Sequence, residues 1–242
     1  MVKNLYLFLF FLSFYNSQMG FHRLDEIQDF SEKQKIIFRE VIRELIDQRR
    51  DLNKEYKFGI YRNTPLRQAI DCADEECIDL LLKNGASVNL KTDNEEDGLL
   101  HQAVYSGNIK IIELLLQAGM DINIKDRFGN TVLISVLTYP NNCNNIVKFL
   151  LKNGANPNIK NNNKKTALLF AVSECNFRCW RIVYMLDVIK SLIYGGADTS
   201  ICDRYGKNFI ELAEDKEFRK KLKNIFFEYK KILSEEVEVW YV

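Results

Sequence analysis

The chain has 242 residues, with 34 Lys and Arg against 33 Asp and Glu and a formal net charge of +1. Interspersed charges of both signs leave no basic footprint for nucleic acid or an anionic membrane surface. Three prolines and the absence of a Gly/Ser-rich run leave no flexible linker.

The N-terminus carries the compartment signal. Lys3 precedes Leu5-Tyr6-Leu7-Phe8-Leu9-Phe10-Phe11-Leu12-Ser13-Phe14-Tyr15, the charged start and short apolar core of a secretory signal peptide, shorter than the usual membrane-spanning helix. Residues 1–20 are therefore read as a signal-like segment directing secretion. Two alternatives stand beside it: an uncleaved anchor, the one way a membrane enters this account, and a cytoplasmic product starting at Met19. Ends at Ser17 or Gly20 lack a small residue two positions earlier, and the 23 asparagines form no glycosylation sequon. Leu24 stands where a myristoylation signal after Met19-Gly20 needs Ser or Thr.

Residues 21–56 read as an N-terminal cap. Ser31 and Gln34 suit a capping box, and Ile37, Val41, Ile42, Leu45 and Ile46 fall on one helical face. Leu45 to Asn53 then has the pattern of Leu81 to Asn89, with Arg49 in place of Gly85.

From residue 57 one block returns. Thr64-Pro65-Leu66-Arg67-Gln68-Ala69 opens a unit that ends Leu80-Leu81-Leu82-Lys83-Asn84-Gly85-Ala86. The openings Thr64, Gly98, Thr131, Thr166 and Asn208 step by 34, 33, 35 and 42 residues, and Gly85, Gly119, Gly154 and Gly196 by 34, 35 and 42. Each unit carries one apolar helical stripe: Ile78, Leu81 and Leu82, then Ile112, Leu115 and Leu116, then Val147, Leu150 and Leu151. Such a stripe cannot be buried by a lone unit, so the units stack.

With this period and this opening the chain resembles the ankyrin-repeat proteins. The resemblance implies an all-α solenoid of stacked helix-turn-helix units with short β-hairpin loops, the repeats covering 57–207 and a capping repeat and helix covering 208–242. It implies that Thr caps the first helix, that Pro sits in its first turn, that the Gly is a left-handed C-cap, and that His101 ties neighbouring repeats. Asn89, Asn123 and Asn158, four residues past each Gly, suit the turn into the hairpin.

Departures from the pattern mark the individual chain. Gly98 loses the Thr cap. The third unit has two extra residues around Thr138 to Asn145, and the fourth nine extra between Ser173 and Lys190. There Ile182, Leu186, Ile189 and Ile193 predict a second helix lengthened at its N-terminal end, pushing Phe177, Cys179 and Trp180 outward. Asn141 to Asn145 and Asn161 to Asn163 read as turn residues. Phe218, Leu222, Ile225, Phe226, Tyr229, Ile232 and Leu233 predict a C-terminal capping helix.

Chemistry is sparse. No phosphate-binding Gly loop, nucleophile elbow or zinc-protease helix is present, and the pairs Glu75-Glu76 and Glu95-Glu96 read as surface turns. No catalytic residue, cofactor, metal or small-molecule substrate is expected. Cys77 takes the slot of Ile111 and Ile146 and reads as a buried apolar residue. Cys143 facing Cys175 or Cys179 leaves two options open, a disulfide or separate thiols.

The expected function is binding another protein. By resemblance, residues four and seven past each opening face a concave groove: Gln68 and Asp71, Gln102 and Tyr105, Ser135 and Thr138, Phe170 and Ser173. Tyr105 and Phe170 are the expected anchors, since aromatics dominate interface energetics. Lys91 and Asp93, Lys125, Arg127 and Phe128, Lys160, and Arg204 and Tyr205 add the hairpin tips, with Phe177 and Trp180 beyond. A secreted effector, an intracellular adaptor or inhibitor, and a recruiting subunit of an enzyme complex all fit this expectation.

Overall fold

The computed structural model describes residues 24–58, 61–89, 98–138, 143–177 and 182–238. They fall into two compact units. The first holds residues up to Asn89 with Lys110–Met120, and the second holds Gly98–Ile109 with Asp121–Glu238. The signal-like residues 1–20, Glu95-Glu96 and Cys179 lie outside the described residues.

The first unit opens with α1 (Leu24–Asp47). The helix runs through Ser31, so the expected capping box does not form: Leu24 to Phe30 contains no Gly or Pro to halt propagation. Its core stripe is Phe38, Ile42 and Leu45, spaced four and three apart, whereas Ile37 is exposed. The helix closes at Arg49, which takes φ 52°. There the Arg50 N–H donates to the Leu45 carbonyl at 2.9 Å, the geometry that Ala86 repeats on Leu81 at 3.0 Å. The half-repeat read from Leu45 to Asn53 thus has the backbone of its sisters with a non-glycine at the left-handed position.

A hairpin follows, β1 (Tyr56–Phe58) antiparallel to β2 (Tyr61–Asn63), with Tyr56 opposite Asn63. In α2 (Pro65–Asp71) the Thr64 Oγ1 accepts the Arg67 N–H at 3.3 Å with Pro65 in the first turn, as expected. The next helix, α3 (Glu75–Lys83), starts at a residue the sequence did not flag. Asp74 is buried, its Oδ1 caps the Cys77 N–H at 3.1 Å, and Arg39 from α1 reaches its two carboxylate oxygens at 3.0 and 2.8 Å. Arg39 also pairs with Glu76, and the bond to Asp74 holds its guanidinium above the ordinary pKa. Glu75 and Glu76 belong to the first turn of α3 rather than to a loop, where their charge suits the helix dipole.

The second repeat gives α4 (Leu99–Ser106) to the second unit and α5 (Ile109–Gln117) to the first. Cys77 on α3 and Ile111 on α5 are equally buried, and burial pushes the Cys77 thiol up to about 12.

In the second unit α4 is followed by α6 (Val132–Ser135), which tightens into a 3₁₀ turn over Val136–Thr138, then α7 (Cys143–Lys152), α8 (Ala167–Phe177), α9 (Ile182–Tyr194), α10 (Phe209–Leu212) and α11 (Lys216–Glu238). First helices stack as α4, α6, α8 and α10, and second helices as α7, α9 and α11. The two layers share an apolar core that includes Leu133, Val147, Leu150, Val172, Ile189 and Phe209. Asn144 and Asn145 sit in the first turn of α7 rather than in a loop.

The nine extra residues of the fourth repeat are divided differently from the expectation. Both helices are lengthened, α8 to 11 residues and α9 to 13, against 8 and 9 in α4 and α5. The α4 helix stops at Gly107 in the left-handed conformation, whereas no glycine follows Ser173, so α8 continues. Its extra turn is held by Asn176, whose Nδ2 donates to the Leu212 carbonyl at 2.8 Å and whose Oδ1 accepts the Glu214 N–H at 3.2 Å. Cys143 and Cys175 are both buried and no disulfide joins them. The capping helix α11 buries Phe218 and Leu222, stacks Tyr229 on Tyr194 and Phe226 on Phe209 edge to face, and leaves Ile232 exposed.

Candidate partner-binding surface

Asparagine organises the loops. Asn53, Asn123 and Asn158 each accept a backbone N–H from the next repeat through Oδ1: Ser87 at 2.8 Å in the first unit, then Asn156 at 2.8 Å and Asp198 at 2.7 Å in the second. Beyond these, three loop tips of the second unit share one turn. Asp126, Asn161 and Asp203 each place Oδ1 on the N–H groups two and four residues on, at 2.7–3.0 Å. Asn161 thus sits at a turn as expected, and is buried there as its organiser, its Nδ2 also donating to Asn130 Oδ1 at 2.8 Å.

The tips are bonded to one another. The Asn162 N–H donates to the Phe128 carbonyl at 3.0 Å, an approach that needs Gly129, since a Cβ there would lie 2.4 Å from Asn162 Oδ1. Lys125 Nζ reaches the Lys160 carbonyl at 3.0 Å and Lys160 Nζ the Cys202 carbonyl at 3.4 Å. This organisation holds Phe128 and Tyr205 in solvent, 54% and 72% exposed, with Arg127 4.6 Å and Arg204 4.8 Å from the ring centres.

On the first helices Gln102 and Tyr105 of α4, Thr138 after α6 and Phe170 of α8 are half-buried. Ser135 and Ser173, expected on the same face, are buried. Ser173 donates to the Phe170 carbonyl at 2.9 Å and accepts Lys165 Nζ at 2.9 Å, while burial pushes the Lys165 ammonium below its ordinary pKa. Thr138 turns its hydroxyl back to the Ser135 carbonyl at 2.7 Å. In the first unit Gln68 and the exposed Asp71 are both reached by Asn63 Nδ2, at 3.3 and 3.4 Å. Lys91, Asp93 and Trp180 lie outside the described residues, as does the side chain of Phe177.

His101 is buried, and its Nε2 lies 3.0 Å from the Asn130 carbonyl of the following repeat, the tie expected of it. A carbonyl only accepts, so the proton sits on Nε2 and Nδ1 is an acceptor; Nδ1 has no partner among the described residues. On the second-helix side, an open cleft of about 580 Å³ lies between α7 and α9, lined by Asn144, Lys148, Asp187, Lys190, Ser191 and Tyr194. The sequence reading missed it, because it arises where Gly195 lets α9 approach Leu151, a contact that depends on repeat packing. Among the described residues no group of acidic, His or Cys side chains is arranged to hold a metal, and no helix is long and apolar enough to cross a membrane.

Two family models describing ankyrin repeats match the chain, one of three copies over residues 100–200 and one of many copies over residues 66–116. No curated protein gives a match. The glycine-closed second helices, the histidine tie, the bonded loops and these matches over residues 66–200 agree: the chain belongs to the ankyrin-repeat proteins, a family of protein–protein interaction modules.

Proposed function

We propose that this protein captures a partner protein on the first-helix face and loop tips of its repeats, with Tyr105, Phe170, Phe128 and Tyr205 as anchors. The observation that carries the reading is the pair of solvent-held aromatics, Phe128 and Tyr205, each set in a rigid, internally bonded turn beside an arginine. Aromatic and Arg side chains contribute most to protein interfaces, and pre-ordered ones lose little entropy on binding. Gln102 and Thr138 supply polar rim contacts in the second unit and Gln68 and Asp71 polar contacts in the first, and Lys91, Phe177 and Trp180 are proposed as further contacts from the sequence alone. Affinity of the purified partner for the double variant Phe128→Ala, Tyr205→Ala tests it. A loss of about tenfold or more at unchanged helicity supports the tips as anchors; equal affinity removes them.

The signal-like composition of residues 1–20 supports a second proposal, that the protein enters the secretory pathway and acts as a secreted effector. Mass spectrometry of the N-terminus of the mature product decides it. Recovery from the medium without these residues supports export, and an intact or Met19 start retained in the cell assigns the repeats to an intracellular adaptor or inhibitor.

A further inference from the structure

The overall charge balance conceals a local one. Across segments 125–131, 160–166 and 201–208 the chain places Lys125 and Arg127 on the first tip, Lys160, Lys164 and Lys165 on the second, and Arg204 and Lys207 on the third, against two acids, Asp126 and Asp203. Both acids also organise their own turns, and Asp203 offsets part of the Lys165 charge, so seven cations against two acids leave the row basic. Asp126 Oδ1 is occupied by the N–H groups of Phe128 and Asn130, and Asp203 Oδ1 by those of Tyr205 and Lys207. Among the described residues no ion pair involves Lys125, Lys160, Lys164, Arg204 or Lys207. Two of the ammonium groups are held in line, Lys125 on the Lys160 carbonyl and Lys160 on the Cys202 carbonyl, and each keeps further donors.

We propose that this row binds an extended acidic segment of a partner protein, with carboxylates at every third residue meeting successive tips. The inference rests on the binding function proposed above and names the chemistry of the partner. Packed helices of neighbouring repeats stand about 10 Å apart, and a chain in the extended polyproline II conformation advances about 3.1 Å per residue with three residues per turn, so side chains three residues apart fall on one side and span one repeat. Lys125, Lys160 and Lys207 supply one cation per tip, and Phe128 and Tyr205 give apolar side chains at the two ends a surface to rest on. A nucleic acid, with a charge about every 3.4 Å along each strand, is too dense for cations at this spacing.

The test uses the full chain and a fluorescent peptide of about a dozen residues with Glu at every third position and Leu near each end. A control peptide carries Gln in place of Glu, and a single-stranded oligonucleotide is the third probe. The triple variant Lys125→Gln, Lys160→Gln, Lys207→Gln keeps the stems and removes the charge, and circular dichroism reports whether it folds. The proposal expects wild type to bind the Glu peptide, about tenfold or more weaker binding by the triple variant, and weakening as salt rises from about 50 to about 500 mM. If the triple variant does not fold, the wild-type preference for Glu over Gln peptide and its salt dependence carry the test. Equal binding of Glu and Gln peptides, or tighter binding of the oligonucleotide, overturns the proposal. The binding reading itself is probed separately by Tyr105→Ala with Phe170→Ala, which removes no charge from this row.

Discussion

Asn158, in the loop after α7, accepts the N–H of Asp198 forty residues on at 2.7 Å and returns an amide hydrogen to the Gly196 carbonyl at 3.1 Å. A loop-borne asparagine thus fixes the register of two successive repeats through their backbones. Asn158→Ala removes both bonds, and is expected to cost about 1–2 kcal/mol at the net worth of two hydrogen bonds. Thermal melting followed by helical circular dichroism measures it, and an unchanged midpoint would show that the ladder adds nothing to stacking.

Gly98 begins α4 without a side-chain cap, and a Cβ built on it lies 3.9 Å from His101 Nδ1, a buried acceptor with no partner among the described residues. Its extended backbone, φ −63°, suits any residue. Gly98→Thr is expected to stabilise by about 1 kcal/mol, by capping the helix and by offering a hydroxyl to the histidine. A parallel Gly98→Ala variant supplies neither, so the difference between the two variants measures the cap and the histidine bond together.

Arg39 covers a carboxylate, that of Asp74, whose side chain has no solvent exposure. Arg39→Ala leaves Asp74 buried with only its capping bond, and a loss of about 3 kcal/mol is expected. Asp74→Asn retains the cap and removes the charge, so it is expected to cost less than Arg39→Ala. Denaturant unfolding of both variants gives the order, and the reverse order would contradict the pairing.

Thiol labelling provides a test of the repeat register. Cys77 is buried, with its thiol pushed up to about 12, so alkylation at neutral pH is expected to spare it until the protein unfolds, while half-buried Cys202 reacts in the native state. Mass spectrometry of labelled peptides reads both sites, and native labelling of Cys77 would place it off the core.

The repeats were legible because their period is written in residues that have few substitutes. Thr64, Pro65 and Gly85 each occupy a backbone geometry that their chemistry favours, and His101 and Cys77 sit in slots defined by sister repeats. Tertiary effects were harder to read. Arg49 follows a glycine pattern without being glycine, its left-handed backbone closed by the Arg50 N–H on the Leu45 carbonyl. Ser135 and Ser173 look like groove residues by position, yet the tightening at Val136 and the reach of Lys165 bury them. The basic tips escaped the composition argument because acids elsewhere in the chain balance the overall count, while the three tips hold seven cations against Asp126 and Asp203. Asp74 gave no signal, since an aspartate before a helix is ordinary and its partner lies on α1.

The most direct test of the binding account is a position-specific crosslink. A photoreactive amino acid at Phe170, on the first-helix face, is compared with one at Tyr194, in the cleft between α7 and α9, using purified partner and equal expression. Crosslinking from position 170 but not from 194 is the predicted result. Crosslinking from 194 alone would move the interface to the second-helix side and contradict the assignment.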